Sequence, residues 1–351
     1  MIKEKDMEEQ MKKVISILLI LAVLFIGGCS KENEVVSTAP EQEEPKVEEV
    51  KEERNEFVEL MEKDIRPVAV MIDNDGPSSR PQKGLESAYM MYEIIIEGGS
   101  SRIMALFKDA SAIEKIGPIR SSRHYFLDFA LEHDAIYCHA GWSPKAASDI
   151  SALKVNNVNG ITGRDGKYFY RDNTYDSSWH NLYTDLNKIF AHATENRKYK
   201  ATTDKKHTSY NEKDTDIESQ TSATEITLPY SYKYKVIYKY NPDTKCYTRF
   251  IGEKEHMSQT GEALTAKNII VYTLKNYNLN DGENKGRQEV VTVGSGSGYY
   301  ITNGKAIEIS WTKESRTGKT VYKYSDGTEL KLNPGNTYVQ IMPSSSTITI
   351  S

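Results

Sequence analysis

Cysteine is scarce in this sequence, and the scarcity excludes two kinds of architecture. Only three of the 351 residues are cysteine, namely Cys29, Cys138 and Cys246. Cys29 ends an apolar leader, which leaves one cysteine for each half of the remaining chain. Two distant cysteines support neither a disulfide scaffold nor a cysteine-based zinc site. A single disulfide between Cys138 and Cys246 stays an open alternative.

An excess of basic residues is also missing. Lysine and arginine number 45 against 50 acidic residues, and the formal net charge is −5. Nucleic-acid binding uses a basic face, so we expect no nucleic-acid partner. Phenylalanine is sparse, at 8 residues, whereas tyrosine reaches 23. This balance is typical of β-strands with one wet face, with glycan contacts as the alternative.

Recognisable catalytic and cofactor motifs are absent as well. The sequence has no G-x-G-x-x-G that opens a helix, no G-x-S-x-G and no H-E-x-x-H. His124 and His133 are nine residues apart on one predicted helix, too far to share an ion. We therefore predict no metal site and no cofactor.

No apolar run reaches the roughly 20 residues of a transmembrane helix. Residues 14–26 are apolar and follow two lysines, which is the layout of a secretory leader, and translation can begin at Met1 or at Met11. The leader, residues 1–29, ends in the letters IGGC and resembles the lipobox of bacterial lipoproteins. The resemblance implies cleavage before Cys29 and attachment of a diacylglycerol thioether to it. An uncleaved anchor or a plain signal peptide is the alternative.

Composition divides the rest of the chain into four parts. Residues 30–60 are rich in Glu, Lys, Val and Pro and predict a disordered acidic tether. We predict an α/β domain with a mixed sheet over residues 61–200 and a linker over residues 201–224. Many short alternating segments over residues 225–351 predict a mostly-β domain, a sandwich or a partly closed barrel. Residues 230–240 alternate as one strand, and the glycine run at 294–298 is more typical of a flexible hairpin than of an anion cradle. The predicted fold class is therefore α+β.

The first predicted strand of the N-terminal domain ends in polar residues. Residues 68–72 form a continuous apolar run, typical of a buried strand, and Asp73 and Asn74 follow it. In α/β folds such strand ends contact ligands, although Asn-Asp-Gly is also common in turns. Glu97 and Arg102 flank a Gly-Gly turn between two later strands. They are candidate ligand contacts or, alternatively, a cross-strand ion pair.

The segment after the third predicted strand carries the densest set of candidate ligand-binding residues. A helix is predicted after a Gly-Pro break, with Arg120, Ser121 and Arg123 in its first turn. Cations there oppose the helix dipole, so we infer that this turn holds an anion. A strand ending at His139 and a second helix with Ser143 as N-cap follow. Two helix N-termini thus bracket one strand end.

Several spaced segments resemble the YerB-like lipoproteins of Gram-positive bacteria. The matching segments are residues 67–74, 80–85, 97–102, 116–123, 139–144 and 332–337. The resemblance covers nearly everything from Arg66 to Pro343, in a two-part layout. It implies a lipid-anchored envelope protein and implies no activity. Trp142 stands where we expect a second glycine after Gly141, which argues against a backbone cradle at that turn.

Three functions fit these observations. The first is a non-catalytic binding or scaffolding lipoprotein on the outer face of the cytoplasmic membrane, which binds a phosphate or carboxylate of a wall polymer or lipid head group. The second is a wall-polymer phosphotransferase or hydrolase that uses the same anion site. A faint likeness to the LytR-CpsA-Psr transferases favours this hypothesis. The third is a docking subunit for another envelope protein. We favour the first and predict ligand contacts from Asp73, Asn74, Arg80, Glu97, Arg102, Arg120, Ser121, Arg123, His139 and Ser143.

Overall fold

A computed structural model describes residues 54–351 of the protein. The predicted leader with Cys29 and most of the predicted tether lie outside the described residues. Four α-helices occur in residues 54–351, and a π-helical turn at His192–Asn196 continues the last of them. The helices are α1 (Glu56–Glu62), α2 (His124–Glu132), α3 (Pro144–Ala152) and α4 (Leu186–Ala191).

The strands are short and numerous. In chain order, those of the N-terminal half are β1 (Val68–Ile72), β2 (Met90–Ile95), β3 (Ser101–Phe107), β4 (Ile136–His139), β5 (Asn157–Asn159), β6 (Phe169–Arg171), β7 (Leu182–Thr184), β8 (Ser209–Tyr210) and β9 (Thr221–Ser222). Those that follow are β10 (Glu225–Pro229), β11 (Lys235–Asn241), β12 (Cys246–Ile251), β13 (Lys254–Glu255), β14 (Thr265–Ala266), β15 (Asn268–Leu274), β16 (Asn276–Asn278), β17 (Gln288–Val290), β18 (Gly294–Thr302), β19 (Lys305–Lys313), β20 (Thr320–Lys323), β21 (Lys331–Leu332), β22 (Thr337–Pro343) and β23 (Thr349–Ile350).

One large mixed sheet runs through both halves of the chain. Its order is β20-β19-β18-β15-β22-β2-β3-β1-β4-β5, with β9 added beside β19. The two halves join where β22 pairs in parallel with β2, with Tyr338 opposite Met91. The strands of the C-terminal half therefore extend the sheet of the N-terminal half. The fold class is α+β, as the sequence predicted. The domain boundaries given above remain predictions.

The large sheet is buried on both faces. A six-stranded sheet, β13-β12-β11-β10-β23 with β14 beside β12, packs with α4 against one face. Helices α2 and α3 pack against the other face. In β1, Val68 and Val70 point to the first layer and Ala69 and Met71 to the second. This two-sided burial explains why residues 68–72 are apolar throughout instead of alternating.

Helix α2 has the apolar face that its sequence predicted and also carries buried acids. Phe126 and Phe129 are fully buried. Glu132 at its last turn is buried and contacts Lys313 of β19, with 2.6 Å between Oε2 and Nζ. Asp128 contacts Arg316, with 2.8 Å between Oδ1 and Nε. These ion pairs fasten the N-terminal half to the C-terminal half.

Three local predictions need correction. Helix α1 lies at the end of the predicted tether, because Asn55 caps it and Phe57 packs on Tyr210 with 5.2 Å between ring centroids. Residues 230–240, predicted as one strand, contain a turn before β11 because Tyr230 points into the core. The glycine run at 294–298 is part of β18 and not a flexible hairpin. At Gly296 a Cβ would lie 2.9 Å from Trp311 Nε1, so the Trp311 ring requires a glycine there.

The two cysteines of the described part are free thiols. Cys138 is buried in β4 of the large sheet, and Cys246 is partly buried in β12 of the six-stranded sheet. The alternative of a disulfide between them is therefore wrong.

Candidate functional site

The loop before α2 covers the carboxyl end of β1 and pairs with it through backbone hydrogen bonds. Strand β1 is parallel to β4, so both end at the same edge. The backbone N–H of Arg120 donates to Met71 O at 2.9 Å, and that of Asp73 donates to Pro118 O at 2.8 Å. Ser122 then forms a bridge to Trp142 after β4. This pairing places the arginines of the loop beside the strand end.

Asp73 is at the centre of the polar groups gathered here. Its side chain is fully buried, and its Oδ2 atom lies 2.7 Å from His180 Nδ1 and 2.6 Å from Arg120 Nε. Burial by itself would raise the pKa of Asp73, but the hydrogen bond from His180 and the charges of Arg120 and Arg102 lower it. Asp73 is therefore ionised at neutral pH and is saturated with cationic partners.

Arg102 is the buried arginine of the site. It is 4% exposed, and its Nη1 donates to the backbone oxygen of Ser121 at 2.7 Å. Among the described residues no carboxylate lies within 4 Å of its guanidinium nitrogens. Burial, followed by the nearby charge of Arg123, lowers the pKa of Arg102 to about 10. The group remains charged at neutral pH without an ion-pair partner of its own.

Two buried N–H groups in this site lack an acceptor. The Nε–H of Arg102 and that of Arg120 form no hydrogen bond within the described part of the chain. The Nε of Arg120 contacts Asp73 but is not aligned for a hydrogen bond to it. Buried donors in native proteins are almost always paired. The site is thus short of acceptors, which an anion would supply.

Arg123 was predicted to bind an anionic ligand, but in the structure it forms an ion pair with Glu97. Its Nε donates to Glu97 Oε2 at 3.0 Å, and its Nη2 contacts Glu97 Oε1. Burial would raise the pKa of Glu97, but Arg123 lowers it to about 2. The alternative pairing of Glu97 with Arg102 is wrong, because Arg123 lies closer. We call Asp73, Glu97, Arg102, Arg120, Arg123 and His180 the strand-end cluster.

The position of the arginines relative to α2 also differs from the prediction. The helix begins at His124 with Arg123 as N-cap, and the Arg123 side chain makes no capping hydrogen bond. Arg120 and Ser121 precede the helix and do not occupy its first turn. Ser121 contributes its backbone oxygen to Arg102. The backbone hydrogen bonds between this loop and β1 therefore position the arginines. Arg120 does not lie in the first turn of the helix, so its charge does not oppose the helix dipole there.

Asn74 and Arg80 belong to a neighbouring polar network in the interior. Arg80 Nη1 donates to Asn74 Oδ1 at 2.9 Å, and Asn74 Nδ2 donates to Tyr234 Oη at 2.6 Å and to Glu93 Oε1 at 3.2 Å. Arg80 also lines a cleft of about 930 Å³ together with residues of the six-stranded sheet, among them Tyr232. Arg80 therefore lines a cleft that the residues of the strand-end cluster do not line.

His139 and Ser143 use their polar atoms internally. His139 is fully buried, with Nδ1 2.8 Å from Gly141 O and Nε2 3.2 Å from Asn157 Oδ1. Ser143 is the N-cap of α3 and accepts from Ala146 N at 3.3 Å. The cap agrees with the sequence prediction. Both ring nitrogens of His139 contact oxygen atoms of the protein and the Ser143 hydroxyl caps a helix, so we leave both residues out of the proposed site.

His180 is the functional candidate that sequence reasoning missed. It lies 107 residues from Asp73 in the chain, and the hydrogen bond to Asp73 raises the pKa of His180. The sequence signal was weak, since a Trp-His-Asn segment in a polar loop fits many roles. Its neighbour Trp179 is 68% exposed, and Trp142 on the other loop is 40% exposed. Exposed tryptophans beside a charged site offer flat apolar faces to a ligand.

The strand-end cluster is poorly suited to a metal ion. Its buried carboxylate, Asp73, is already in contact with a guanidinium group and an imidazole. The one group of histidine and acidic residues in residues 54–351 with metal-binding spacing lies elsewhere, at Glu132, His133 and His207.

The same part of the chain contains no helix long and apolar enough to cross a membrane.

Both halves of the chain match one family. The description "Protein of unknown function (DUF3048) N-terminal domain" matches residues 57–200, and the corresponding C-terminal domain matches residues 226–339. The chain is 27% identical over 348 residues to "Putative lipoprotein YerB" of Bacillus subtilis (strain 168), which covers 97% of this chain and 98% of that protein. The crystal structure of the YerB protein from Bacillus subtilis superposes with a TM-score of 0.68 at 28% identity, over 81% of this chain and 94% of that one.

Proposed function

This chain belongs to the two-part DUF3048 family, and we propose that it is a lipid-anchored protein of the bacterial cell envelope that binds an anionic group. The lipobox-like segment at Cys29 and the name of the Bacillus subtilis relative support the anchor. The protein would sit on the outer face of the cytoplasmic membrane. It would act as a binding or scaffolding protein and not as a catalyst.

The observation that carries the anion site is the pair of buried N–H groups without acceptors. Arg102 and Arg120 each hold one, and both side chains lie beside Asp73. Three guanidinium groups and His180 share only two carboxylates in the strand-end cluster. A phosphate or carboxylate would accept the free hydrogen bonds and balance the charge. Such groups occur on wall polymers and on lipid head groups.

Binding can be measured with the full chain purified in detergent. Isothermal titration with inorganic phosphate, acetate, and lipid–detergent micelles with or without phosphatidylglycerol separates a free phosphate from a carboxylate and from a lipid head group. We expect binding of at least one of these anions, and Arg120→Gln lowers its affinity about 10- to 100-fold, since a charge-assisted hydrogen bond contributes about 1.5–3 kcal/mol. Arg54→Gln is the matched control, because Arg54 is a surface arginine with a 47% exposed side chain.

The absence of binding heat with all of these probes would contradict the anion site. Equal affinities of Arg120→Gln and Arg54→Gln would contradict it too. The anchor is tested separately, because Cys29→Ala should move the protein from the membrane fraction to the soluble fraction.

A second candidate function is hydrolysis or transfer of a phosphoryl group. It is favoured by the Asp73–His180 contact, since a buried carboxylate that orients an imidazole is common in acid–base catalysis. Phosphorus NMR of pyrophosphate incubated with the protein tests it. Phosphate release that disappears in His180→Gln would favour the enzyme, and an unchanged spectrum would favour the binding protein.

A further inference from the structure

Glu132, His133 and His207 form a second cluster far from the strand-end cluster, at the other end of α2. Glu132 is the last residue of that helix and His133 is its C-cap. His207 comes from the segment that joins the two halves of the chain. One ligand atom of each residue lies within 4.8 Å of the other two. The fold thus brings two imidazoles and a carboxylate together from separate parts of the sequence.

The His207 imidazole is buried with an unused nitrogen. Its side chain is 7% exposed, and Nε2 forms no hydrogen bond, although Glu132 Oε1 lies 3.5 Å away. Imidazole nitrogens in protein interiors normally have a partner. The Nε2 atom of His207 is therefore available to bind a ligand together with the two residues at the end of α2.

The surrounding side chains orient the other two ligand atoms toward the same point. Glu132 Oε2 is held by Lys313 Nζ at 2.6 Å and by Thr320 Oγ1 at 2.7 Å, which leaves Oε1 turned toward the imidazoles. Tyr89 Oη lies 3.2 Å from His133 Nδ1 and can accept its proton. The lone pair of His133 Nε2 then points into the cluster, where Tyr92 Oη lies 2.8 Å away. Outer partners of this kind fix the ligands of metal sites.

We propose that Glu132, His133 and His207 bind one Zn²⁺ ion, with water as the fourth ligand. Two imidazoles and one carboxylate are a common zinc ligand set. Tetrahedral zinc with bonds of about 2.0–2.1 Å places its ligand atoms roughly 3.4 Å apart. Glu132 Oε1 lies 3.5 Å from His207 Nε2 and 3.9 Å from His133 Nε2. The His133 and His207 ring centroids are 4.0 Å apart, so the two rings move apart by about 1 Å when both bind the ion.

The cluster also has space for the water ligand. Cavities of about 20 and 40 Å³ adjoin His207, and a water needs only about 10–15 Å³. Tyr92 Oη lies 2.8 Å from both Glu132 Oε1 and His133 Nε2. When the Tyr92 hydroxyl donates its proton to Glu132, the lone pair of His133 Nε2 can bind the ion. Mg²⁺ and Ca²⁺ need several oxygen ligands, whereas two imidazoles suit zinc.

Zinc at this point would fasten the joining segment to α2. His207 lies between the halves, and Lys313 and Thr320 belong to strands of the C-terminal half. The bound ion would thus connect three parts of the chain, independently of any anion at the strand-end cluster.

The test uses the full chain in detergent, treated with a chelator and dialysed. Titration with zinc chloride should give one bound ion per chain and a higher thermal midpoint, since a ligand that binds only the folded state stabilises it. Cobalt substitution should give visible bands without thiolate charge-transfer bands, which excludes the cysteines. His207→Ala should weaken zinc binding about 100-fold or more, and Tyr89→Phe about tenfold, because it removes only the hydroxyl that orients His133.

His124→Asn is the matched control, because His124 lies in the first turn of the same helix with its own partner, Glu289. It should bind zinc as the native chain does. A chain that binds no zinc, or equal zinc affinity in the native, Tyr89→Phe and His207→Ala proteins, overturns the proposal. Circular dichroism checks that each variant folds, and Tyr89→Phe decides the question if His207→Ala does not.

Discussion

The strand-end cluster and the interior network start from consecutive residues, Asp73 and Asn74, yet they differ in how completely their polar groups are paired. In the interior network Arg249 is fully buried, with Nη2 2.8 Å from Glu93 Oε2, and its Nε donates to His256 Nδ1 at 2.9 Å. The carboxylate of Glu93 accepts in addition from Tyr234 and from Asn74. In the strand-end cluster two arginine N–H groups have no acceptor.

This difference separates a structural role from a binding role. Arginine, carboxylate and histidine occur in both places, so residue type does not distinguish them. His256 shows the structural case: its Nε2 donates to Gln82 Oε1 at 2.6 Å, and burial, followed by the charge of Arg249, lowers its pKa well below the usual range. A closed network of this kind fixes how the six-stranded sheet packs on the large sheet. An incomplete network at a strand end leaves hydrogen bonds for a ligand.

The largest effect should come from opening the interior network. Arg249→Met leaves Glu93 charged and buried without its cation, which costs about 3–5 kcal/mol of the free energy of unfolding. Urea unfolding measures the change. The double variant with Glu93→Gln should recover part of the loss, because it removes the unpaired charge. A loss below about 1 kcal/mol in the single variant would show that the network is not closed as described.

A smaller effect on stability should follow the same kind of substitution in the strand-end cluster. Arg102→Met removes a buried cation that lacks an ion-pair partner, so the free energy of unfolding should change by less than about 1 kcal/mol. Anion affinity should nevertheless fall at least tenfold. Urea unfolding and titration with the same protein batch compare the two quantities. Destabilisation as large as that of Arg249→Met would place Arg102 in the structural class and weaken the comparison.

The smallest effect should appear as a pH dependence of anion binding. The hydrogen bond to Asp73 raises the pKa of His180 above its usual value of 6.5. The imidazole is therefore charged at pH values below this raised pKa and loses its charge as the pH rises through it. Affinity for sulfate, whose own charge is constant in this range, should therefore fall about two- to fivefold on raising the pH, as expected for a partly exposed charge pair. His180→Gln should remove the slope. A slope that persists in this variant would assign it to another group.

Local sequence signals predicted much of the secondary structure and part of the site. The apolar run at 68–72, the aromatic face of α2 and the Ser143 cap follow from interactions within a few residues, and the structure confirms all three. The sequence also predicted Asp73 and the arginines as ligand contacts, but it did not predict that they lie beside one another. Their pairing was not predictable, because Glu97 pairs with Arg123, 26 residues away, and not with Arg102, which is much nearer in the sequence.

The sequence by itself determined which segments form the buried strands and helices, because burial depends on periodicity and composition over a few residues. Only the tertiary structure decided that both halves share one sheet, that His180 meets Asp73 and that His207 meets Glu132. These contacts join residues about 75 to more than 100 positions apart, and they arise from how whole layers pack, which no local pattern encodes.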